Sequence, residues 1–186
     1  MDLLDFKQLL RTNEPEEVVE ILLKSDFVEA FSKEQYQQFC EQVASNFDDV
    51  EMVKIMGSGN HKFSLNPINN FREFHDGSDI DTVIISPKEF NRVWEELRTY
   101  HRSKWYILGQ KQRSELLRSG QNVYAGFISP LWIPEKQNAS RFNFIRIKSN
   151  LSVSYENRNV NMLFFKNYED VIDYYKRSVI LAKRGL

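Results

Sequence analysis

Residues 80–85 read Ile-Asp-Thr-Val-Ile-Ile, and Ser86-Pro87-Lys88-Glu89 follows at once. This junction limits the fold more than any other part of the chain. After Asp81 the hexamer is apolar on both faces, which predicts a strand in the middle of a covered sheet. The serine, the proline and the glutamate three residues after the serine form a helix N-cap, a first-turn proline and a capping box. They predict a helix with Phe90, Val93, Trp94 and Leu97 on its inward stripe. A strand running directly into an amphipathic helix is the building step of a layered α/β unit.

Helical spacing of apolar residues covers 2–11 and 15–27, the second stretch with Asn13 as N-cap, Pro15 in the first turn and Glu16 at the capping-box position. A third helix is capped by Ser32 with Gln35 reaching back, and Tyr36, Phe39, Cys40, Val43 and Phe47 form its buried stripe. Residues 50–56 read as the first strand, followed by a Gly57-Ser58-Gly59 turn and a polar loop to Phe74. Residues 101–120 are largely helical in pattern, 142–148 alternate as a strand would, and 159–165 read as a further strand. Asn167 caps a last helix over 168–183. The expected class is α/β (α+β), a mixed sheet flanked by helices, with a helical extension over 1–48 and the core over 49–186.

At 186 residues the chain is long enough for one sizeable core. A net charge of -1 gives no global electrostatic case for membrane or nucleic-acid partners, and no DNA contact is evident, so any such binding needs a local patch. The one candidate is Arg102, Lys104, Lys111, Arg113 and Arg118, interleaved with Trp105 and Tyr106; a solvated helix face is the simpler account. The single cysteine, Cys40, has no partner for an internal disulfide, which fits a cytoplasmic location. The opening Met-Asp-Leu-Leu-Asp predicts neither a signal peptide nor a membrane span.

The chemistry concentrates in two places. Asp79 and Asp81 are one residue apart at the mouth of the covered strand, so both carboxylates lie on one face and can hold a divalent cation. Gly57 and Ser58 follow the earlier strand, where a small-residue turn presents backbone N–H groups to a phosphate. The alternative is ordinary turn chemistry, for which Gly77-Ser78-Asp79 is well suited.

The order strand, Gly57-Ser58, loop, Asp79-Ile80-Asp81 on a second strand, then helix, resembles the DNA polymerase β superfamily of nucleotidyltransferases, including its small prokaryotic members. The resemblance is clearest from Val53 to about Tyr100. It implies that Gly57 and Ser58 contact the phosphates of a nucleoside triphosphate, with Ser78 beside them, and that Asp79 and Asp81 bind Mg2+ and are catalytic. Such chemistry depends on positioning and on metal charge over the phosphates. Active members usually add a third carboxylate from a neighbouring strand. Here the matching position is Asn161, which can neither act as a base nor offset charge, and Glu156 is the nearest acid upstream.

The stretch from Gly59 to Ser78 is longer than the family's usual linker and rich in phenylalanine. It is expected either to fold over the site as a flap, bringing Lys62 or Arg72 to the phosphates, or to be a surface loop anchored by Phe63, Phe71 and Phe74. The expected activity is transfer of a nucleoside monophosphate to a hydroxyl of a protein, an RNA end or a small molecule. The resemblance also allows a toxin–antitoxin or phage-defence setting. The alternative is a degenerate member acting as a regulatory or antitoxin-like subunit, docking a protein partner through its N-terminal helices.

Overall fold

The computed structural model describes residues 1–186. Eight helices, α1 (Leu3–Thr12), α2 (Pro15–Lys24), α3 (Lys33–Ala44), α4 (Ser58–His61), α5 (Pro87–Lys104), α6 (Gln110–Tyr124), α7 (Ala139–Ser154) and α8 (Tyr168–Lys183), surround a sheet of β1 (Met52–Met56), β2 (Ile80–Ile85), β3 (Phe127–Ile128) and β4 (Val160–Phe165). The spatial order is β1-β2-β4-β3, with β2 and β4 parallel and the outer strands antiparallel to their neighbours. This is the mixed sheet with flanking helices that the patterning predicts. No helix is long and apolar enough to cross a membrane.

Strand alternation builds two cores, one on each face of the sheet. Ile80, Ile84, Val160, Met162 and Phe164 meet the inward stripes of α3, α5 and α7. Val83, Ile85 and Phe165 face the other way and meet α1, α2 and α8 through Phe6, Leu10, Val19, Leu23, Val171 and Val179. Asp81 and Asn161 share the parity of this second face and are directly paired in the β2–β4 register. The helices of residues 1–48 have no core of their own: α1 and α2 lie against α8, and α3 packs on the opposite face. Their apolar stripes are therefore used internally, although Leu4 and Phe27 remain exposed.

Three local expectations are corrected. Residues 142–148 are helical, not a strand, because they lie inside α7. Phe144, Ile147 and Leu151 recur at three- and four-residue spacing, and the Asn138 side chain caps Arg141 N at 2.9 Å; the short alternating window concealed this longer period. The N-cap of α2 is Glu14, whose N–H donates to Glu17 Oε2 at 2.9 Å, while Asn13 Nδ2 donates to Leu9 O and closes α1 instead. The helix stops at Lys24, short of Phe27. Ser32, Ser86 and Asn167 cap their helices as expected.

His61, just beyond the Gly57-Ser58 turn, is fully enclosed in the second core and stacks on Phe6 at 4.8 Å. Neither ring nitrogen has a hydrogen-bond partner, and burial pulls the imidazole down to about 3. The unfolded chain protonates this histidine near pH 6.5 and the folded chain does not. Its contribution is therefore intact above pH 6.5 and is lost as pH falls towards 3, at up to about 1.4 kcal/mol per pH unit. Urea unfolding from pH 7.5 to 4 should show this slope. In His61→Phe, which keeps the stack, the slope should be shallower; an unchanged slope would place the acid sensitivity elsewhere.

Candidate functional site

Antiparallel pairing sets Met56 opposite Asp81, so the turn leaving β1 arrives beside the carboxylate that enters β2. Gly57 makes that approach feasible. Its φ is 63°, and a Cβ there would lie 2.7 Å from Asp81 Oδ2. Gly57→Ala therefore combines backbone strain with a clash against a half-buried carboxylate. It should cost about 1–3 kcal/mol in thermal or urea unfolding. A wild-type stability for this variant would show that the turn and Asp81 are not so closely coupled.

Gly57, Ser58, Ser78, Asp79, Asp81 and Asn161 all line one cavity of about 380 Å3. Two further walls complete the cavity, one from the loop between Ser58 and Ser78 and one from α8, which is distant in sequence. The 64–72 segment contributes Leu65, Asn66, Asn69 and Arg72, and α8 contributes Tyr174, Tyr175 and Ser178. Burial, with the charge of Asp81 adding to it, pushes the Tyr174 and Tyr175 hydroxyls up, so both stay protonated at neutral pH.

Between the two aspartates sits Asn161. Its Nδ2 donates to Asp79 Oδ2 at 3.1 Å and to Asp81 Oδ1 at 3.3 Å. The amide is held in this sense from behind, because Lys148 Nζ at 3.3 Å and Asn159 Nδ2 at 3.1 Å both donate to Asn161 Oδ1. Lys148 comes from α7, and β3 pairs with β4 only at Ile128↔Phe164 and Phe127↔Phe165, which leaves β4 without a strand neighbour on its β3 side at Asn161. Burial raises the Asp81 carboxyl; the Asn161 amide opposes that shift and the charge of Asp79 adds to it.

A magnesium ion fits the donors present. Asp79 Oδ1 and Asp81 Oδ2 are not taken by Asn161, and magnesium is commonly held by one or two carboxylates with water and phosphate oxygens completing its shell. No third His, Cys, Asp or Glu joins the pair. Glu156 is not that third acid: it is exposed and pairs with Arg158 at 3.4 Å.

The inserted segment is anchored and also lines the cavity. Phe63 and Phe71 are buried in the second core. Ser64 N donates to Arg72 O at 3.0 Å, closing a tight loop. Arg158 donates to His75 O at 3.0 Å, pairs with Asp76 at 3.2 Å and lies over Phe74, which fixes the turn that delivers Asp79. Ser78 Oγ accepts the His75 N–H within that turn. Arg72 points to the cavity, but Lys62 does not, and its expected phosphate role is corrected. Lys62 has a positive φ of 78° and ends α4 on the α2 side, where its ammonium pairs with Glu73 at 3.5 Å. The residues that sequence reasoning missed are Lys148, Tyr174 and Ser178. Recognising the Asn138 cap would have put Lys148 on a helix; nothing local points to the other two.

No protein-family model, curated protein or solved structure matches this chain.

Proposed function

We propose that the cavity binds a nucleoside triphosphate with magnesium and that the chain is a nucleotidyltransferase of the polymerase β type. The observation that carries this reading is the convergence of Gly57, Ser58, Asp79, Asp81 and Arg72 on one cavity, from segments that meet only in the folded chain. Gly57 and Ser58 leave backbone exposed to phosphate oxygens, and Arg72 supplies a forked cation. Asp79 and Asp81 hold the metal, which when bound adds positive charge to the phosphates. An acceptor hydroxyl then forms a bond to the α-phosphorus, the bond to the bridging oxygen breaks, and pyrophosphate leaves with that electron pair. The hydroxyl proton passes to solvent, because Asn161 cannot accept it.

The acceptor class is a protein, an RNA end or a small molecule, and a toxin–antitoxin or phage-defence module is a natural setting for such an enzyme. One observation favours a second reading. Asn161 occupies the strand position opposite Asp81, where a third carboxylate is expected, which suits a degenerate member acting as a regulatory or antitoxin-like subunit.

The test is incubation of the purified protein with each α-labelled nucleoside triphosphate, magnesium and a cell lysate. Transfer of label to protein, RNA or a small molecule, lost in Asp81→Asn, is the expected result. Magnesium-dependent nucleotide binding without transfer of any label supports the regulatory reading. Absence of both overturns the site.

A further inference from the structure

The near-zero net charge conceals a strong segregation. Residues 97–155 hold ten Lys and Arg and only two acids, Glu115 and Glu135, whereas residues 1–96 hold twenty acids against nine Lys and Arg. In the fold this basic stretch is one layer, the end of α5 with α6 and α7, on the sheet face opposite α1, α2 and α8. Its sole ion pair with a carboxylate is Arg98–Glu95 at 2.7 Å. Arg102, Lys104, Lys111, Arg118 and Lys136 are exposed.

Between α5 and α6 lies a groove of about 470 Å3, lined in part by Trp94, Arg98, Arg102, Leu117 and Tyr124. Tyr124 is 95% exposed, and Tyr106, in the connection between α5 and α6, is 88% exposed. Arginines already lie over two rings, Arg98 over Trp94 at 5.6 Å and Arg113 over Trp105 at 5.5 Å. At the other end of the layer Lys148 reaches Asn161, so the basic surface abuts the candidate site.

We propose that this layer is a docking surface for a single-stranded polynucleotide. The free cations take successive phosphates, and the groove takes an unstacked base against Trp94 and Tyr124. A duplex keeps its bases stacked and cannot use the rings. A flat anionic bilayer can meet the charge but cannot enter the groove. The cations of the chain are concentrated in this layer, which favours a polyanion here over the acid-rich segments. The proposal does not rest on the nucleotide reading of the cavity.

Fluorescence anisotropy with labelled 20-nucleotide oligo(U) and oligo(dT), across 50–200 mM salt, tests it. Neutralising about four phosphates gives a log–log slope near -3, or about a 60-fold loss over that range. Arg102→Glu/Lys111→Glu/Arg118→Glu should lose at least tenfold in affinity at 50 mM salt. Tyr124→Ala should weaken binding with the slope unchanged. All four positions are exposed, and unaltered circular dichroism excludes misfolding. Asp79→Asn/Asp81→Asn should bind the oligonucleotides like the wild type, which separates this surface from the cavity. Equal affinity for duplex, binding to phosphatidylserine vesicles but not to oligonucleotides, or salt-sensitive self-association without oligonucleotide binding would each overturn the proposal.

Discussion

In Asp79→Asn/Asp81→Asn, magnesium-dependent binding of ATP or another nucleoside triphosphate should fall by about 100-fold or more, a loss of about 2.7 kcal/mol. Two carboxylates are the only anionic donors in the cavity, so no neighbour can take over the metal. The same variant should be at least as stable as the wild type without ligand. Burial works against the charged form of Asp81, and the charge of Asp79 adds to that penalty. The sign with pH follows from this. A carboxyl raised by the fold destabilises the folded chain above its folded value, and the penalty is relieved as pH falls through that value. The asparagine variant should lose this relief on acidification. Lower nucleotide affinity with unchanged or higher melting temperature is the signature of groups kept for a ligand at a cost to the fold. Titration calorimetry with and without magnesium, set beside thermal unfolding, reads both quantities. Lower stability together with lower affinity would instead make the aspartates structural, and an unchanged affinity would falsify the site.

The elements that position this pair were legible because each carries its own local signal. β2 is continuous apolar sequence after Asp81, α5 has the Ser86-Pro87 start, and α8 has Asn167; all three come out where their patterns put them. α7 was not legible as a helix because the seven-residue window 142–148 is too short to separate a period of two from one of 3.6. Losing α7 also meant losing Lys148, so the cation behind Asn161 could not be foreseen. The insertion shows a different limit. Phe63 and Phe71 announce an anchored loop, but which side Lys62 and Arg72 take is decided by a positive φ at Lys62 and an ion pair with Glu73. Both are tertiary outcomes with no signature in spacing or composition. The charge segregation was readable from the start in the counts, and only the average charge hid it.

The Asn161→Asp variant asks what position 161 is for. In the wild type the amide donates to both aspartates and accepts from Lys148, so each polar atom of its side chain is used. A carboxylate there turns two hydrogen bonds into two repulsions, at separations of 3.1 and 3.3 Å, against one new attraction to Lys148 at 3.3 Å. Without metal the variant should therefore be less stable than the wild type near pH 7, by about 1–3 kcal/mol. Magnesium or manganese at millimolar concentration should restore it, because three acids now surround a space that a divalent cation can neutralise. The wild type, with an amide in place of the third acid, should gain much less from metal alone. Adding Lys148→Met removes the competing ammonium and should widen the difference. The readout is the metal-induced rise in melting temperature, which is independent of any acceptor substrate. Equal metal shifts in wild type and Asn161→Asp would mean that position 161 does not face the metal. A larger shift accompanied by faster transfer of label would identify the asparagine as the restraint on an otherwise complete site. A larger shift without transfer would mean that more than this one carboxylate separates the chain from catalysis.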